Sequence, residues 1–271
     1  MPNPLHLANL SSDRAPDGTL FYWTNDEARD HTLILSQRDF ANPSVSDASD
    51  LLKAARQRFI YRHHGHKGSR IVKLIPLNPL NGLLPRKYAF AEFQNTQMAQ
   101  ALGLEVPATC AYLEKRRWFA GTSCVGTVFE DLEGYRELSK LLRRKTLSIA
   151  ECGDIAAQAL TDLYNAGANH LDARDANIMV HPDTRATSII DWQHATYMAP
   201  RAAWLLEHLA GFYIQRSPEH RDAYLDSGLL HQLHARSAHP APYHTFSARV
   251  LKLASRKRPL SERTKLLPVP V

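Results

Sequence analysis

The sequence has few cysteines, and none are paired at metal-ligand spacing. Its 271 residues contain three, Cys110, Cys124 and Cys152. Their number is odd, their spacing is wide, and no C-x-x-C occurs. This pattern argues against a disulfide framework and against a structural zinc site. We therefore expect three ordinary reduced thiols.

The sequence also lacks a long apolar run. A membrane-spanning helix needs about 20 predominantly apolar residues, but polar side chains interrupt the longest candidates, 155–163 and 202–214. The first residues, Met-Pro-Asn-Pro-Leu-His, have neither the basic start nor the apolar stretch of a signal peptide. These absences predict a cytoplasmic protein.

Positive charge is in excess. Lys and Arg outnumber Asp and Glu by 33 to 27, which gives a formal net charge of +6. Such a balance favours an acidic partner: a nucleotide, an anionic lipid surface or nucleic acid. Basic residues cluster at 115–117, 143–145 and 256–258. Each cluster alone is explained by a solvated surface, and together they favour contact with a negatively charged surface.

Strand patterns fill the first part of the chain and helix patterns the second. Strands are predicted at 31–36, 59–62, 70–75 and 124–129, with a helix at 88–102, a short helix at 51–57 and a loosely attached segment at 1–30. Further helices are predicted at 148–166, 202–216, 221–225 and 248–255. The order predicts an α+β fold with an N-terminal extension (1–30), a β-rich N-lobe (31–129) and a helical C-lobe (130–271).

The most informative segment runs from His170 to Asp191. It reads His170-Leu-Asp172-Ala-Arg174-Asp175-Ala-Asn177, followed by two short apolar runs around a turn, the second ending in Asp191. An H-x-D alone is a weak signal. The complete order, with an Asn five residues after the Asp and a second Asp after the apolar runs, is typical of a phosphoryl-transfer site.

Each polar residue of this segment has a candidate role. In phosphoryl transfer the protein supplies position and charge more than covalent chemistry. Asp172 would orient the attacking hydroxyl and accept its proton, and Arg174 would neutralise charge on the moving phosphoryl group. Asn177 and Asp191 would hold Mg²⁺, which prefers oxygen ligands. His170 would support the backbone of the loop.

This segment resembles the protein-kinase-like superfamily, and most of all the bacterial lipopolysaccharide kinases of the Kdo/WaaP group. Those proteins carry H-x-D-L-N-x-x-N-I-L and then L-I-D-F. Aminoglycoside and choline phosphotransferases carry a similar H-x-D-x4-N and an I-D-W, which residues 190–192 match. Residues 103–107 and 207–213 extend the resemblance loosely. It implies a two-lobed kinase-like fold with ATP in the cleft.

The resemblance also implies roles for residues upstream. Lys73 lies on an early predicted strand, as the ATP-binding lysine of the family does, and would contact the α- and β-phosphates. Glu92, on the next predicted helix, would pair with it, because a buried lysine needs a carboxylate to stay charged. Residues 130–134 take the place of the interlobe hinge, where the backbone of Glu130 and Leu132 would bind the adenine edge.

The chain departs from the family pattern at several positions. No G-x-G-x-x-G precedes Lys73, so the hairpin at 64–68 and the loop at 42–44 are alternative covers for the phosphates. Residues 191–193 lack the glycine of the metal motif, and no A-P-E follows, which argues against a regulated Ser/Thr protein kinase. Arg174 stands where the lipopolysaccharide kinases usually have Asn. These differences concern the substrate class rather than the fold.

Two further clusters have simple interpretations. His63, His64 and His66 have no carboxylate or cysteine at ligand spacing, so we expect a solvent-facing turn rather than a metal site. Asp175 is predicted to brace the loop rather than to bind a metal.

The sequence therefore predicts an ATP- and Mg²⁺-dependent kinase that transfers the γ-phosphoryl group to a hydroxyl. The resemblance implies a glycolipid acceptor, a sugar of the lipopolysaccharide core. The basic clusters and the tail at 252–265 would suit peripheral contact with the anionic inner membrane face, and no nucleic-acid partner is expected.

Two alternatives remain open. A small-molecule phosphotransferase of the aminoglycoside or choline type would be expected to show an acidic acceptor pocket, which the basic balance disfavours. A non-catalytic pseudokinase is disfavoured by the intact set of Lys73, Glu92, Asp172, Asn177 and Asp191.

Overall fold

The structure is a computed structural model that describes residues 10–14, 18–24, 49–55, 58–65, 68–78, 89–117 and 121–256. The chain forms two units. The first comprises Met1–Ala101 and Pro107–Glu133, and the second comprises Leu102–Val106 and Gly134–Val271. The chain enters the second unit briefly at 102–106 and remains in it after residue 133, whereas the sequence-based division lies between 129 and 130.

The first unit is built on one antiparallel sheet. Its strands are β1 (Ser11–Arg14), β2 (Thr19–Trp23), β3 (Ser49–Ala55), β4 (Arg58–Gly65), β5 (Gly68–Pro76), β6 (Thr109–Arg117) and β7 (Gly121–Glu130). They lie in the order β1-β2-β6-β7-β5-β4-β3, and every neighbouring pair is antiparallel. The strands predicted at 59–62, 70–75 and 124–129 are confirmed as parts of β4, β5 and β7.

One helix, α1 (Ala89–Ala101), accompanies this sheet and confirms the helix predicted at 88–102. Successive strand residues point to opposite faces of a sheet. Tyr112 and Leu113, neighbours in β6, therefore belong to different buried clusters. Leu113 shares a cluster with Trp23, and Tyr112 shares the other with Phe93 of α1. The helix thus packs through its aromatic residues on one face of the sheet.

Part of the N-terminal segment belongs to the sheet. Residues 1–30 were predicted to be loosely attached, and this is wrong for β2, which pairs with β6 inside the sheet. Phe21 and Trp23 are almost fully buried. The partner strand lies about ninety residues further along the chain, so local composition gave no sign of the pairing.

The short helix predicted at 51–57 is also wrong. Residues 49–55 form the edge strand β3, which pairs with β4 and has an irregular register near Leu51. Leucine, lysine and alanine favour a helix locally, but pairing with a neighbouring strand overrides that weak preference. The strand predicted at 31–36 and the loop at 42–44 lie outside the described residues.

The second unit is mainly helical. Its helices are α2 (Leu138–Arg143), α3 (Ile149–Ala166), α4 (Ala203–Arg216), α5 (Arg221–Asp226), α6 (Leu229–Ser237) and α7 (Tyr243–Ala254). Its short strands β8 (Arg136–Glu137), β10 (Ile178–Val180) and β11 (Thr187–Ile189) form one small sheet, and β9 (Ala168–Asn169) pairs with β12 (Thr196–Tyr197). The helices predicted at 148–166, 202–216 and 221–225 are confirmed, and the one predicted at 248–255 is the second half of α7. Both α2 and α6 were missed. The two units together confirm the α+β class.

Helix α3 delivers the chain to the loop that bears the H-x-D motif. Its predicted capping box is present: the Glu151 N–H donates to Oγ of Ser148 at 3.2 Å, and the Ser148 N–H donates to the Glu151 carboxylate at 2.8 Å. Gly167 ends the helix with φ of 71°. A Cβ there would lie 2.3 Å from the backbone oxygen of Met198. Glycine is therefore required by both conformation and close approach.

Among the helices in the part of the chain that the structure describes, none has the length and apolarity that crossing a membrane requires.

Candidate active site

Lys73 and Glu92 form an ion pair in the first unit. Lys73 lies within β5, and Glu92 lies in the first turn of α1. Nζ of Lys73 donates to Oε1 of Glu92, and the side chains are 12% and 4% exposed. Nζ also lies 5.6 Å from the ring centre of Phe129, within cation–π range. The structure thus brings together the two residues that the sequence analysis predicted as partners.

The predicted adenine-binding segment starts where β7 ends. The N–H of Glu130 donates to the backbone oxygen of Ala108 at 2.8 Å. Asp131 is fixed by Arg62, whose Nε donates to its carboxylate at 2.7 Å. In the described parts of the chain, no backbone hydrogen bond engages the N–H of Leu132. The segment is therefore anchored at its first two residues and keeps a backbone donor at Leu132.

The loop between β9 and β10 holds Asp172 and Asn177 together. Nδ2 of Asn177 donates to Oδ2 of Asp172 at 3.0 Å and to the backbone oxygen of Asp172 at 2.9 Å. Asn177 ends a single 3₁₀ turn, Asp175–Asn177, and is buried. Both of these bonds use the nitrogen of its amide, so the amide oxygen is the atom left to bind a cation.

Two arginines approach the Asp172 carboxylate. Nε of Arg216, at the end of α4, lies 3.2 Å from Oδ1, and Nε of Arg174 lies 3.7 Å from Oδ2. Neither Nε makes a hydrogen bond, so both contacts are ion pairs. Arg174 was predicted from the sequence as a site residue, and Arg216 was not. No local pattern links the end of an apolar helix to a loop far upstream, so only the fold reveals this residue.

Asp175 braces the loop, as predicted. Its Oδ2 pairs with Nδ1 of His220 at 2.9 Å, and the side chains of Asp175 and His220 are only 7% and 16% exposed. His220 lies in the 3₁₀ turn Pro218–His220 just after α4 and was also missed. The pair ties the middle of the loop to the segment that follows α4.

The β10–β11 hairpin brings Asp191 back to the Asn177 end of the loop. The strands are antiparallel, and the N–H of Ile190 donates to the backbone oxygen of Asn177 at 3.0 Å. Asp191 itself is left-handed, with φ of 68° and ψ of 56°. A non-glycine residue in this region is strained by about 1 kcal/mol or more, and such strain is concentrated at functional sites.

The buried His170 supports the backbone just before Asp191. It is 1% exposed, and its Nε2 donates to the backbone oxygen of Ile190 at 3.1 Å. Its ring packs edge-on against Trp192. Burial lowers the pKa of His170 below its ordinary value, and the carboxylates of Asp191 and Asp172 partly oppose that shift. The neutral ring supports the backbone, as the sequence analysis predicted.

The lowered pKa of His170 makes folding pH-dependent. The unfolded chain protonates this ring near pH 6.5, and the folded chain does so only at lower pH, so its contribution to stability is complete above pH 6.5 and is lost as pH falls. We expect His170→Gln to reduce the slope of unfolding free energy between about pH 6.5 and 5, by up to about 1.4 kcal/mol per pH unit. Urea unfolding at several pH values measures this slope.

The control for that experiment is His244→Gln, which removes an exposed histidine. Burial also lowers the pKa of His208. This residue is present in all three proteins, so it contributes equally to their slopes. Equal slopes for His170→Gln and wild type would contradict the assignment.

Asn177 and Asp191 are the two residues that the sequence predicted as oxygen ligands for a divalent cation. Among the described residues, no three His, Cys, Asp or Glu side chains are grouped so as to hold a metal by themselves. This donor set fits Mg²⁺ bound to a nucleotide, which takes one or two carboxylates from the protein and completes its shell with phosphate oxygens and water.

The histidine cluster is only partly as predicted. His63 and His64 lie in β4 rather than in a turn. His63 is buried, so the expected solvent-facing position is wrong for it, whereas His64 is exposed and its Nδ1 lies 3.1 Å from Oγ of Ser69. Strand alternation places the two neighbours on opposite faces. His66 lies outside the described residues.

The cysteines are free thiols, as predicted. Burial raises the pKa of Cys110 and Cys124 to about 11 and that of Cys152 to about 12. They are therefore protonated at neutral pH and poor nucleophiles.

Comparison with known proteins adds a family match. Residues 53–231 match the lipopolysaccharide kinase (Kdo/WaaP) family. A solved structure described as WaaP in complex with acyl carrier protein is 17% identical, with a TM-score of 0.49, and the alignment covers 87% of this chain and 89% of that one. The search of curated proteins gives no match. The family match spans every site residue predicted from the sequence.

Proposed function

This chain belongs to the lipopolysaccharide kinase (Kdo/WaaP) family, and we propose that it uses ATP and Mg²⁺ to phosphorylate a hydroxyl of a lipopolysaccharide core sugar. Membership makes the chain a phosphotransferase that acts on an alcohol group.

The observation that carries the proposal is the pairing of Asp172 with Asn177. The amide nitrogen of Asn177 holds Oδ2 of the carboxylate, which leaves the amide oxygen for a cation. One side chain thereby fixes the base and offers a metal ligand. Asp172 accepts the proton of the attacking hydroxyl, whose oxygen forms the new bond to phosphorus as the bond from the γ-phosphorus to the ADP oxygen breaks.

Several positive groups would balance the negative charge of the phosphates. Mg²⁺, held by Asn177 and Asp191, would neutralise phosphate charge. Lys73, kept charged and aimed by Glu92, binds the α- and β-phosphates. Arg174 supplies a further positive charge close to Asp172.

The adenine would be recognised by backbone groups at 130–132. The N–H of Leu132, which makes no backbone hydrogen bond to a described residue, suits a ring nitrogen of the base, and the carbonyl of Glu130 suits its amino group. The ion pair between Arg62 and Asp131 would hold this segment in shape.

The acceptor proposal is supported by positive charge. Two arginines flank Asp172, which favours an anionic acceptor over the cationic aminoglycosides or choline. Arg143, Arg144 and Lys145 are exposed at the end of α2. We place them, with Arg256, among the residues that contact an anionic membrane surface carrying the glycolipid.

Nucleotide binding tests the proposal. Mg²⁺ and ATP together are expected to raise the melting temperature of the wild type, because a ligand that binds only the folded state stabilises it. Asp191→Ala should lose most of that shift, because it removes the carboxylate ligand. Asp183→Ala, in the exposed turn between β10 and β11, is the matched control and should keep it.

Transfer of ³²P from ATP to lipopolysaccharide core oligosaccharide completes this test. No thermal shift with any nucleotide would contradict the proposal at the level of ATP binding. A thermal shift without transfer to core oligosaccharides or soluble alcohols would favour a pseudokinase.

A further inference from the structure

We propose that Arg216 recognises an anionic group on the acceptor, and that it covers the reactive oxygen of Asp172 until that group draws it away. This inference rests on the proposed kinase function. It narrows the acceptor to sugars that carry a carboxylate or a phosphate close to the hydroxyl that is phosphorylated.

The two oxygens of Asp172 have different surroundings. Oδ2 accepts a hydrogen bond from Asn177 at 3.0 Å. Oδ1 is buried and has no hydrogen-bond partner, with Nε of Arg216 only 3.2 Å away. A hydroxyl that gives up its proton must come within about 2.6–3.2 Å of the base. Oδ1 is the oxygen with spare acceptor capacity, and Arg216 shields it.

The side chain of Arg216 is held weakly enough to move away from Asp172. Its Nε makes no hydrogen bond to Asp172 or to any other described residue. The side chain is 38% exposed, although its Nε is buried, so its accessible surface lies on other atoms. Solvent weakens ion pairs of this exposure. A small movement at the end of α4 would uncover Oδ1.

An anion on the acceptor would give Arg216 a better partner. Arginine binds carboxylate or phosphate through two parallel hydrogen bonds, whereas its contact with Asp172 uses none. Asp172 faces two guanidinium groups, and the neighbouring Asp175 pairs with His220. Two positive charges therefore adjoin the single negative charge of Asp172, so an anionic group of the acceptor would find an arginine to pair with there, and a cationic group would not.

The test compares three acceptors: a lipopolysaccharide core oligosaccharide, its carboxyl methyl ester, and its phosphatase-treated form. KM and kcat for each are measured with wild type, Arg216→Gln and Arg216→Lys. Arg185→Gln is the control, because Arg185 forms an exposed pair with Glu151 on another part of the second unit. Thermal melts confirm folding, and Arg216→Lys serves alone if Arg216→Gln does not fold.

We expect Arg216→Gln to raise KM for the intact oligosaccharide by about tenfold or more, the effect of losing one charge-assisted interaction, and Arg216→Lys to raise it less. For the wild type, KM should rise similarly when the acceptor lacks the recognised anion. With that acceptor, Arg216→Gln should raise KM no further. Sensitivity to esterification identifies a carboxylate, and sensitivity to phosphatase identifies a phosphate.

Other outcomes would overturn the inference. An equal fall in kcat for all three acceptors, without a change in KM, would make Arg216 only a positioning residue for Asp172. A rise in KM for ATP alone would place the anion on the nucleotide. Failure of the wild type to phosphorylate any acceptor would instead contradict the proposed function, so the two failures are distinguishable.

Discussion

Asp172→Asn is expected to lower kcat for phosphoryl transfer by about 10²–10⁴-fold, the usual contribution of a positioned general base, with little change in KM for ATP. Asparagine keeps the shape, and its own oxygen can still accept the bond from Asn177. It lacks the negatively charged carboxylate that accepts the hydroxyl proton. Steady-state kinetics with varied ATP and acceptor separate these effects.

Asp183→Asn is the matched control, because it makes the same chemical change in an exposed turn and should leave kcat unchanged. If Asp172→Asn kept more than a tenth of wild-type kcat, Asp172 would not be the base. A rise in KM for ATP alone would mean that it serves nucleotide binding instead.

Lys73→Met is expected to destabilise the fold by about 3–5 kcal/mol, because it leaves a buried carboxylate without its partner. Glu92 is only 3% exposed, so water cannot replace the ammonium group of Lys73. The double variant Lys73→Met/Glu92→Gln should recover much of this loss, because it removes the unpaired charge. Urea unfolding at neutral pH measures all three proteins.

The exposed pair Lys140–Glu137 provides the comparison for this experiment. Lys140 is 50% exposed in that pair, and Lys140→Met should change stability by less than about 1 kcal/mol. If Lys73→Met lost no more stability than Lys140→Met, Glu92 would not be held as a buried charge. The same Lys73→Met protein should also lose the thermal shift with Mg²⁺ and ATP.

The sequence indicated the site best where its residues are close along the chain. Asp172 and Asn177 are five positions apart in one loop, so their order alone predicts contact. The capping box of α3 and its final glycine were likewise local. Lys73 and Glu92 lie on separate elements, and the family resemblance rather than local chemistry suggested their pairing.

Residues that meet only through tertiary packing were missed. Arg216 and His220 reach the loop from α4 and the turn after it, and neither stands in a motif. The same reason explains the errors in the first unit. Thr19–Trp23 pairs with a strand far along the chain, and Ser49–Ala55 forms a strand against its local helix preference.

The sequence by itself determined the kind of chemistry. Asp172, Asn177 and Asp191 stand around two short apolar runs, and the hairpin that these two runs form returns Asp191 to Asn177. The tertiary structure alone decided what surrounds Asp172, because ion pairs depend on which distant side chains packing delivers to the carboxylate. The motif therefore predicts a phosphotransferase, and the arginine from α4 is the basis for proposing which acceptors it selects.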